Sequence, residues 1–127
     1  PANLPRLLGY ANHLTHVFTN LLSNAFKFRG DQASPVVSID YERIDQSGQI
    51  LHRFTVTDNG MGIPQDYIAA VLKPFTRVPG REQVPGNGVG LAAVHRIVRN
   101  HRGTVEIKST EGQGTAVIFT LPWEGEG

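Results

Sequence analysis

Two pairs of alternating apolar and polar segments, each pair joined by a short turn-forming run, constrain the fold more than anything else in this chain. In the first pair, Val37, Ile39 and Tyr41 alternate within "VVSIDYERI", "DQSGQ" supplies a hairpin turn, and Ile50 to Asp58 forms the returning strand. In the second, "TVEIKS" and "TAVIFTL" flank "TEGQG" and alternate as an antiparallel pair does. Helical spacing occupies the remaining long stretches. Leu14, Val17, Leu21 and Ala25 recur at three- and four-residue steps from about Tyr10 to Phe28. Pro64 opens a short helix through about Leu72, and Leu91, Val94 and Val98 mark a helix from beyond Gly90 to about His101, ended by Gly103. From Pro74 to Asn87, three prolines and two glycines interrupt any apolar period, which predicts a long loop.

Hairpins at both ends with helices before and between them imply an α+β fold. We expect a two-layer α/β sandwich whose mixed, mainly antiparallel sheet is covered on one face by helices. A doubly wound parallel sheet needs strict strand–helix alternation and does not fit. The 127 residues suit one domain spanning 1–127 with a real core and leave little room for a second. Twelve basic against eleven acidic side chains give a formal net charge of +1, so no global field attracts nucleic acid or an anionic membrane. Any anion must be captured locally. The absence of cysteine excludes disulfides, thiolate catalysis and cysteine-type zinc sites, and is compatible with a cytoplasmic setting. No apolar run reaches the roughly 20 residues of a membrane helix, no signal-peptide pattern opens the chain, and its start at Pro1 reads as a piece of something larger.

Three stretches carry chemistry. In "DNGMGIP", Asp58 ends a strand on the face of Phe54 and Val56, where a carboxylate must find donors or lose free energy through desolvation. It is either a turn cap, as Asp-Asn-Gly often is, or a fixed acceptor for a planar base carrying an amino group. On the second reading, Gly60 and Gly62 keep side chains away so that backbone can lie against the ligand. In "GNGVG", Gly86 to Gly90, glycines enter a helix, where free backbone N–H groups and the positive helix end make an anion site; a plain loop hinge is the alternative. It is not a Walker A sequence. In "NLLSNAFKF", Asn20, Asn24, Lys27 and Phe28 share a helix face. Two mid-helix asparagines are either tolerated at a partly exposed face or have tasks. An amide oxygen is a hard ligand suited to Mg²⁺, an ammonium suits phosphate, and a ring can stack on a base.

These stretches, in this order, resemble the N, G1 and G2 boxes of the histidine-kinase catalytic and ATP-binding domain, and "KPFTRV" resembles its F box. The similarity runs from about Leu7 to Pro122 and includes the ending "GTVEIKSTEGQGTAVIFTLP". That family belongs to the GHKL group with gyrase, Hsp90 and MutL, and its Bergerat-type ATP-binding fold agrees with the sandwich expected above. The resemblance implies that ATP and Mg²⁺ bind here. Asn24 would coordinate the metal, Asn20 would line the same site, Lys27 would approach the phosphates and Phe28 the adenine. Asp58 would accept the adenine amino hydrogen bond, with Gly60, Gly62 and Ile63 shaping the base pocket. Phe75 and Arg77 would contact nucleotide from a lid at about 74–88, and Gly86, Gly88, Val89, Gly90 and Leu91 would bound its phosphate side. The catalytic set would be Asn24, Lys27 and Asn20.

Two departures bear on the chemistry. ATP-hydrolysing relatives resemble one another in a glutamate one turn before the metal asparagine, where it activates water; here that position is Asn20, and an amide is no general base. Phosphoryl transfer is therefore favoured over hydrolysis. The F box begins Lys73-Pro74 where an acidic residue is more usual, which makes the contacts of Phe75 and Arg77 less secure and leaves room for a docking module without phosphotransfer. The phosphoacceptor is missing, since none of His13, His16, His52, His95 or His101 stands in a His-Glu or His-Asp setting. The resemblance thus implies a protein-histidine kinase catalytic domain, monomeric alone, whose partners are a helical dimerisation and phosphoacceptor domain and a downstream response regulator. His13 and His16, three residues apart, are read as ordinary surface histidines and not as metal ligands.

Overall fold

A computed structural model describes residues 4–30, 34–73, 78 and 90–122, with side chains from residue 12 onward. Helix α1 runs Leu4–Lys27, strands β1 and β2 run Val37–Gln46 and Gln49–Asp58, helix α2 runs Gly90–Asn100, and strands β3 and β4 run Thr104–Thr110 and Gly114–Pro122. The expected order of elements is present. Helix α1 begins earlier than expected because Leu4, Leu7, Leu8 and Ala11 continue the three-to-four-residue spacing backwards and Pro5 falls in the first turn, where proline is tolerated. The short helix expected from Pro64 is instead two 3-10 turns, Gln65–Tyr67 and Ala70–Leu72, neither capped by a side chain. So few residues do not repay the cost of nucleating an α-helix.

The sheet order is β1-β2-β4-β3, and all three pairings among the described strands are antiparallel. The parallel component of the expected mixed sheet is thus not found among them. Ser47 (φ 52°) and Gly48 (φ 79°) both take positive φ in the β1–β2 turn, as a two-residue type I′ hairpin requires. Beyond β2 the chain crosses by way of α2 to β3 at the opposite edge, and β4 returns to the centre. Asp58 therefore stands opposite Thr115 of β4 on one side and Val37 of β1 on the other.

Core positions follow both periods. On α1, Val17, Leu21 and Ala25 are buried; on α2, Ala92, Val94 and Val98; and on the central strands, Val56, Val117, Phe119 and Leu121. Phe119 is fully buried, and its ring lies 5.6 Å from Phe18 and 5.1 Å from Phe54, so one aromatic cluster joins α1 to both central strands. Burying such a ring contributes about 1.5–3 kcal/mol. On the same sheet face as Val56 and Phe54, the edge residues Ile39 and Tyr41 are 50% and 53% exposed, so the helices cover the centre of the sheet better than its β1 edge.

The carboxyl end of α2 is closed by paired backbone bonds. Gly103 N–H donates to the Val98 carbonyl and Arg102 N–H to the Arg99 carbonyl, each at 2.9 Å, which is the Schellman arrangement. The left-handed residue is Arg102 (φ 65°), one position before the glycine expected to end the helix.

Candidate functional site

Strand β2 delivers Asp58 to one end of the sheet, half-buried among the ends of β1, β2 and β4. Burial raises the pKa of its carboxyl above the ordinary aspartate value, while backbone hydrogen bonds from Gly60 and Thr115 pull the other way. The Gly60 N–H donates to Asp58 Oδ1 at 2.8 Å. This is the turn-cap geometry, and a carboxylate has acceptor capacity beyond one such bond. The turn-cap reading of Asp58 is thus observed, and it leaves acceptor capacity on the carboxylate.

The glycine turn is fastened to α1 and to the β3–β4 hairpin. Met61 N–H donates to the Phe28 carbonyl at 2.8 Å, and Gly112 N–H to the Met61 carbonyl at 2.6 Å. A Cβ at Gly60 would stand 2.4 Å from the Phe28 carbonyl oxygen, and one at Gly62, where φ is +75°, would stand 2.2 Å from the carbonyl oxygen of Thr110. Close backbone approach is thus required at both glycines, where the sequence reading expects a ligand. The approaching backbone, however, belongs to the protein itself.

Helix α1 brings Asn24 against the first residue of α2. A Cβ at Gly90 would lie 3.0 Å from Asn24 Oδ1 and 3.2 Å from Nδ2, so the absence of a side chain lets the amide lie at the helix start. One turn earlier, Asn20 Nδ2 is buried and has no hydrogen-bond partner among the described residues. A buried amide nitrogen without a partner costs about 1–3 kcal/mol, so the site is polar and incompletely satisfied. Lys27 is half-buried as the last residue of α1, where a cation also complements the helix dipole. Phe28 is half-buried one residue beyond. Ile63 and Leu91 are partly buried and pack on the core.

The structure thereby gathers Asn24 with Gly90, and Phe28 with Gly60 and Asp58, at the ends of α1, β2 and the start of α2. Phe75, Arg77, Gly86, Gly88, Val89 and most of the expected lid at 74–88 lie outside the described residues. Two residues not singled out in the sequence also belong to this end. Ser109 Oγ accepts the Ile63 N–H (2.8 Å), donates to the Gly114 carbonyl (2.8 Å) and lies 2.9 Å from Thr115 Oγ1, while its carbonyl accepts from Gln65 Nε2 at 2.7 Å. Thr115 faces Asp58 across the sheet. The Gly114-Thr115 step at the start of the last strand was the available signal, but it acquires meaning only from the β2–β4 register.

The fold is a two-layer α+β sandwich with an antiparallel sheet, a half-buried aspartate at a strand end and an asparagine lying at a glycine-started helix. The family model for histidine kinase-, DNA gyrase B- and HSP90-like ATPases matches residues 9–125, and the chain belongs to that family. Its curated relatives include cyanobacterial phytochrome A of Nostoc sp., 34% identical over 96% of this chain and 15% of that protein. They also include the sensory histidine kinase/phosphatase NtrB of Rhodobacter capsulatus, 38% identical over 94% of this chain and 34% of that protein. The chain thus spans 15% and 34% of the length of these two relatives. Among solved structures it is similar to the mycobacterial sensor histidine kinase MprB, with TM-score 0.75 and 29% identity over 87% of this chain and 72% of that one. It is similar also to full-length ShkA in complex with AMPPNP, with TM-score 0.69 and 30% identity over 87% of this chain and 21% of that one. No helix among the described residues is long and apolar enough to cross a membrane.

Proposed function

We propose that this chain is the ATP-binding catalytic domain of a sensor histidine kinase, holding Mg²⁺-ATP and presenting the γ-phosphate to a histidine on a separate helical domain. A response regulator would receive the phosphate next, and the domain would work in the cytoplasm whatever the attachment of its parent. The reading rests on Asn24, whose amide lies against Gly90 at the amino-terminal end of α2, where free N–H groups and the positive helix end favour phosphate.

The donor set fits Mg²⁺. The amide oxygen of Asn24 is a hard ligand, and the unpartnered Asn20 Nδ2 one turn earlier is a donor free to hydrogen-bond a phosphate oxygen or an ion-bound water. When bound, the ion would offset phosphate charge during transfer. The remaining tasks fall to the chain. Asp58, positioned by Gly60 and Thr115, accepts from the adenine amino group, and Lys27 holds phosphate oxygens at the end of α1. The acceptor imidazole nitrogen forms a bond to the γ-phosphorus as the bond from that phosphorus to the ADP oxygen breaks, so catalysis is by positioning. The Asn20 amide accepts no proton at neutral pH, so water is not activated there.

Calorimetric titration of Mg²⁺-ATP into the wild-type domain and into Asp58→Ala tests the pocket; binding lost in the variant is expected. Mixing the wild type with a helical acceptor domain and labelled ATP tests transfer. Acid-labile label on the acceptor histidine is expected, and binding with an inert mixture would leave a nucleotide-holding docking module in its place.

A further inference from the structure

The opposite end of the helix layer carries chemistry that nucleotide binding does not use. His13 precedes Asn24 on α1 by about 16 Å at 1.5 Å per residue. His101 follows the last residue of α2, at the end remote from Gly90. His13 Nδ1 and His101 Nε2 are 2.7 Å apart, across 88 residues of sequence, and the rings meet edge-on with centroids 4.9 Å apart. Below them, Leu14, Val17, Ile97, Val98 and Leu121 line a small apolar hollow with the two rings.

We propose that His13 and His101 form a two-histidine site for a borderline divalent cation of the Zn²⁺, Ni²⁺ or Cu²⁺ class, clamping α1 to the end of α2. Imidazole nitrogen is the ligand these metals share, and hard cations such as Mg²⁺ do not prefer it. Two nitrogens on a tetrahedral Zn²⁺ at 2.0–2.1 Å stand about 3.3 Å apart, so the rings need part by only about 0.6 Å from their present contact. In the present contact one hydrogen is shared between the two nitrogens. With metal in its place, the ring hydrogens sit on His13 Nε2 and His101 Nδ1.

One ligand is already fixed by backbone. The His101 N–H reaches the carbonyls of Val98 (3.1 Å) and Ile97 (3.3 Å), and the paired bonds of Arg102 and Gly103 hold the turn that follows. The other ligand is exposed, which leaves outward positions for water. The apolar floor blocks the inner side. Among the described residues no set of three or more His, Cys, Asp or Glu could share a metal, so water completes the shell. His16, three residues from His13 on the same helix, was the neighbour suggested by sequence; the observed partner is His101 instead.

The test is thermal unfolding of the nucleotide-free chain with ZnCl2 or NiCl2, with MgCl2 as the control. At ten times the dissociation constant the folded state gains about elevenfold over the unfolded, which raises Tm by about 5 °C for a domain of this size. The shift is expected in the wild type and in His52→Gln, and absent in His13→Gln and in His101→Gln. No shift in the wild type, or a shift that survives either of the last two substitutions, would overturn the site. Should either variant unfold, the wild-type imidazole resonances decide: Zn²⁺ must move those of His13 and His101, and unmoved signals would overturn the proposal equally.

Discussion

The Phe28 carbonyl at the end of α1 accepts the Met61 N–H at 2.8 Å, and that bond ties the glycine turn after β2 to the helix bearing Asn20 and Asn24. Gly60 makes the approach possible. In Gly60→Ala the new Cβ would stand 2.4 Å from that carbonyl oxygen and 3.1 Å from Asp58 Oδ1, so helix end or turn must move. We expect a loss of about 2 kcal/mol or more in urea unfolding and at least about tenfold weaker ATP binding. Gly48→Ala provides the comparison, because φ is +79° there but nothing lies within 4 Å of the added carbon. Strain alone should cost about 1 kcal/mol. If the two variants lose equal stability, the contact between helix and turn is softer than its geometry indicates.

Asp58→Asn should separate stability from binding. Burial raises the pKa of Asp58, so the folded state holds a proton more readily than the unfolded chain does, and ionising the group costs stability as pH rises. That cost is absent below the unfolded value near 3.8 and complete above the raised folded value. An asparagine accepts the Gly60 bond without bearing charge. At pH 7 the variant should match or exceed the wild type, by under about 1 kcal/mol because Asp58 is only half-buried, and its advantage should vanish below about pH 4. ATP binding should nonetheless be lost. Melting curves at pH 7 and pH 3.5, with calorimetry at pH 7, give both readings.

Element types were legible in the sequence because helix and strand periods are local. Val17, Leu21 and Ala25 on α1, and Phe54 and Val56 beside Asp58 on β2, lie on the sides that their spacing assigned. Asp58 and Gly90 were legible as element termini, each marked by a glycine-containing turn, whereas Asn24, inside α1, was singled out only by its residue type and helical spacing. What could not be read was pairing across distance. The Asp58–Thr115 register, the Ser109 hydrogen bonds and the His13–His101 contact each join residues with no local signal of one another. The left-handed Arg102 escaped for another reason, as a glycine stood beside it and the helix-ending rule chooses glycine.

Ser109 holds the site from beneath, and its removal should show that. With Ser109→Ala the Ile63 N–H and the Gly114 carbonyl both lose their hydroxyl partner at 2.8 Å. Leaving such groups unpaired costs about 1–3 kcal/mol. Tm should fall by about 4–10 °C, and ATP affinity should weaken by less than about tenfold because Ser109 is not among the residues proposed to touch nucleotide. Unchanged melting would mean that water replaces the hydroxyl.

His52 makes acid sensitivity testable at the β1–β2 edge. Its pKa is lowered from 6.5, first by burial and then by the nearby Arg43 charge, and the Tyr41 hydroxyl lies 2.6 Å from its Nδ1. A lowered histidine pKa means that the unfolded chain binds the proton more readily, so this ring's contribution is present above pH 6.5 and is lost as pH falls through the folded value. His52→Gln removes the titration. Between pH 7.5 and pH 5.5 the Tm of the variant should fall less than that of the wild type, and Arg43→Gln should lie between them because only the second cause is relieved. Parallel wild-type and His52→Gln curves across that interval would assign the acid sensitivity to other groups, and the Tyr41–His52 contact would then be packing without consequence for protonation.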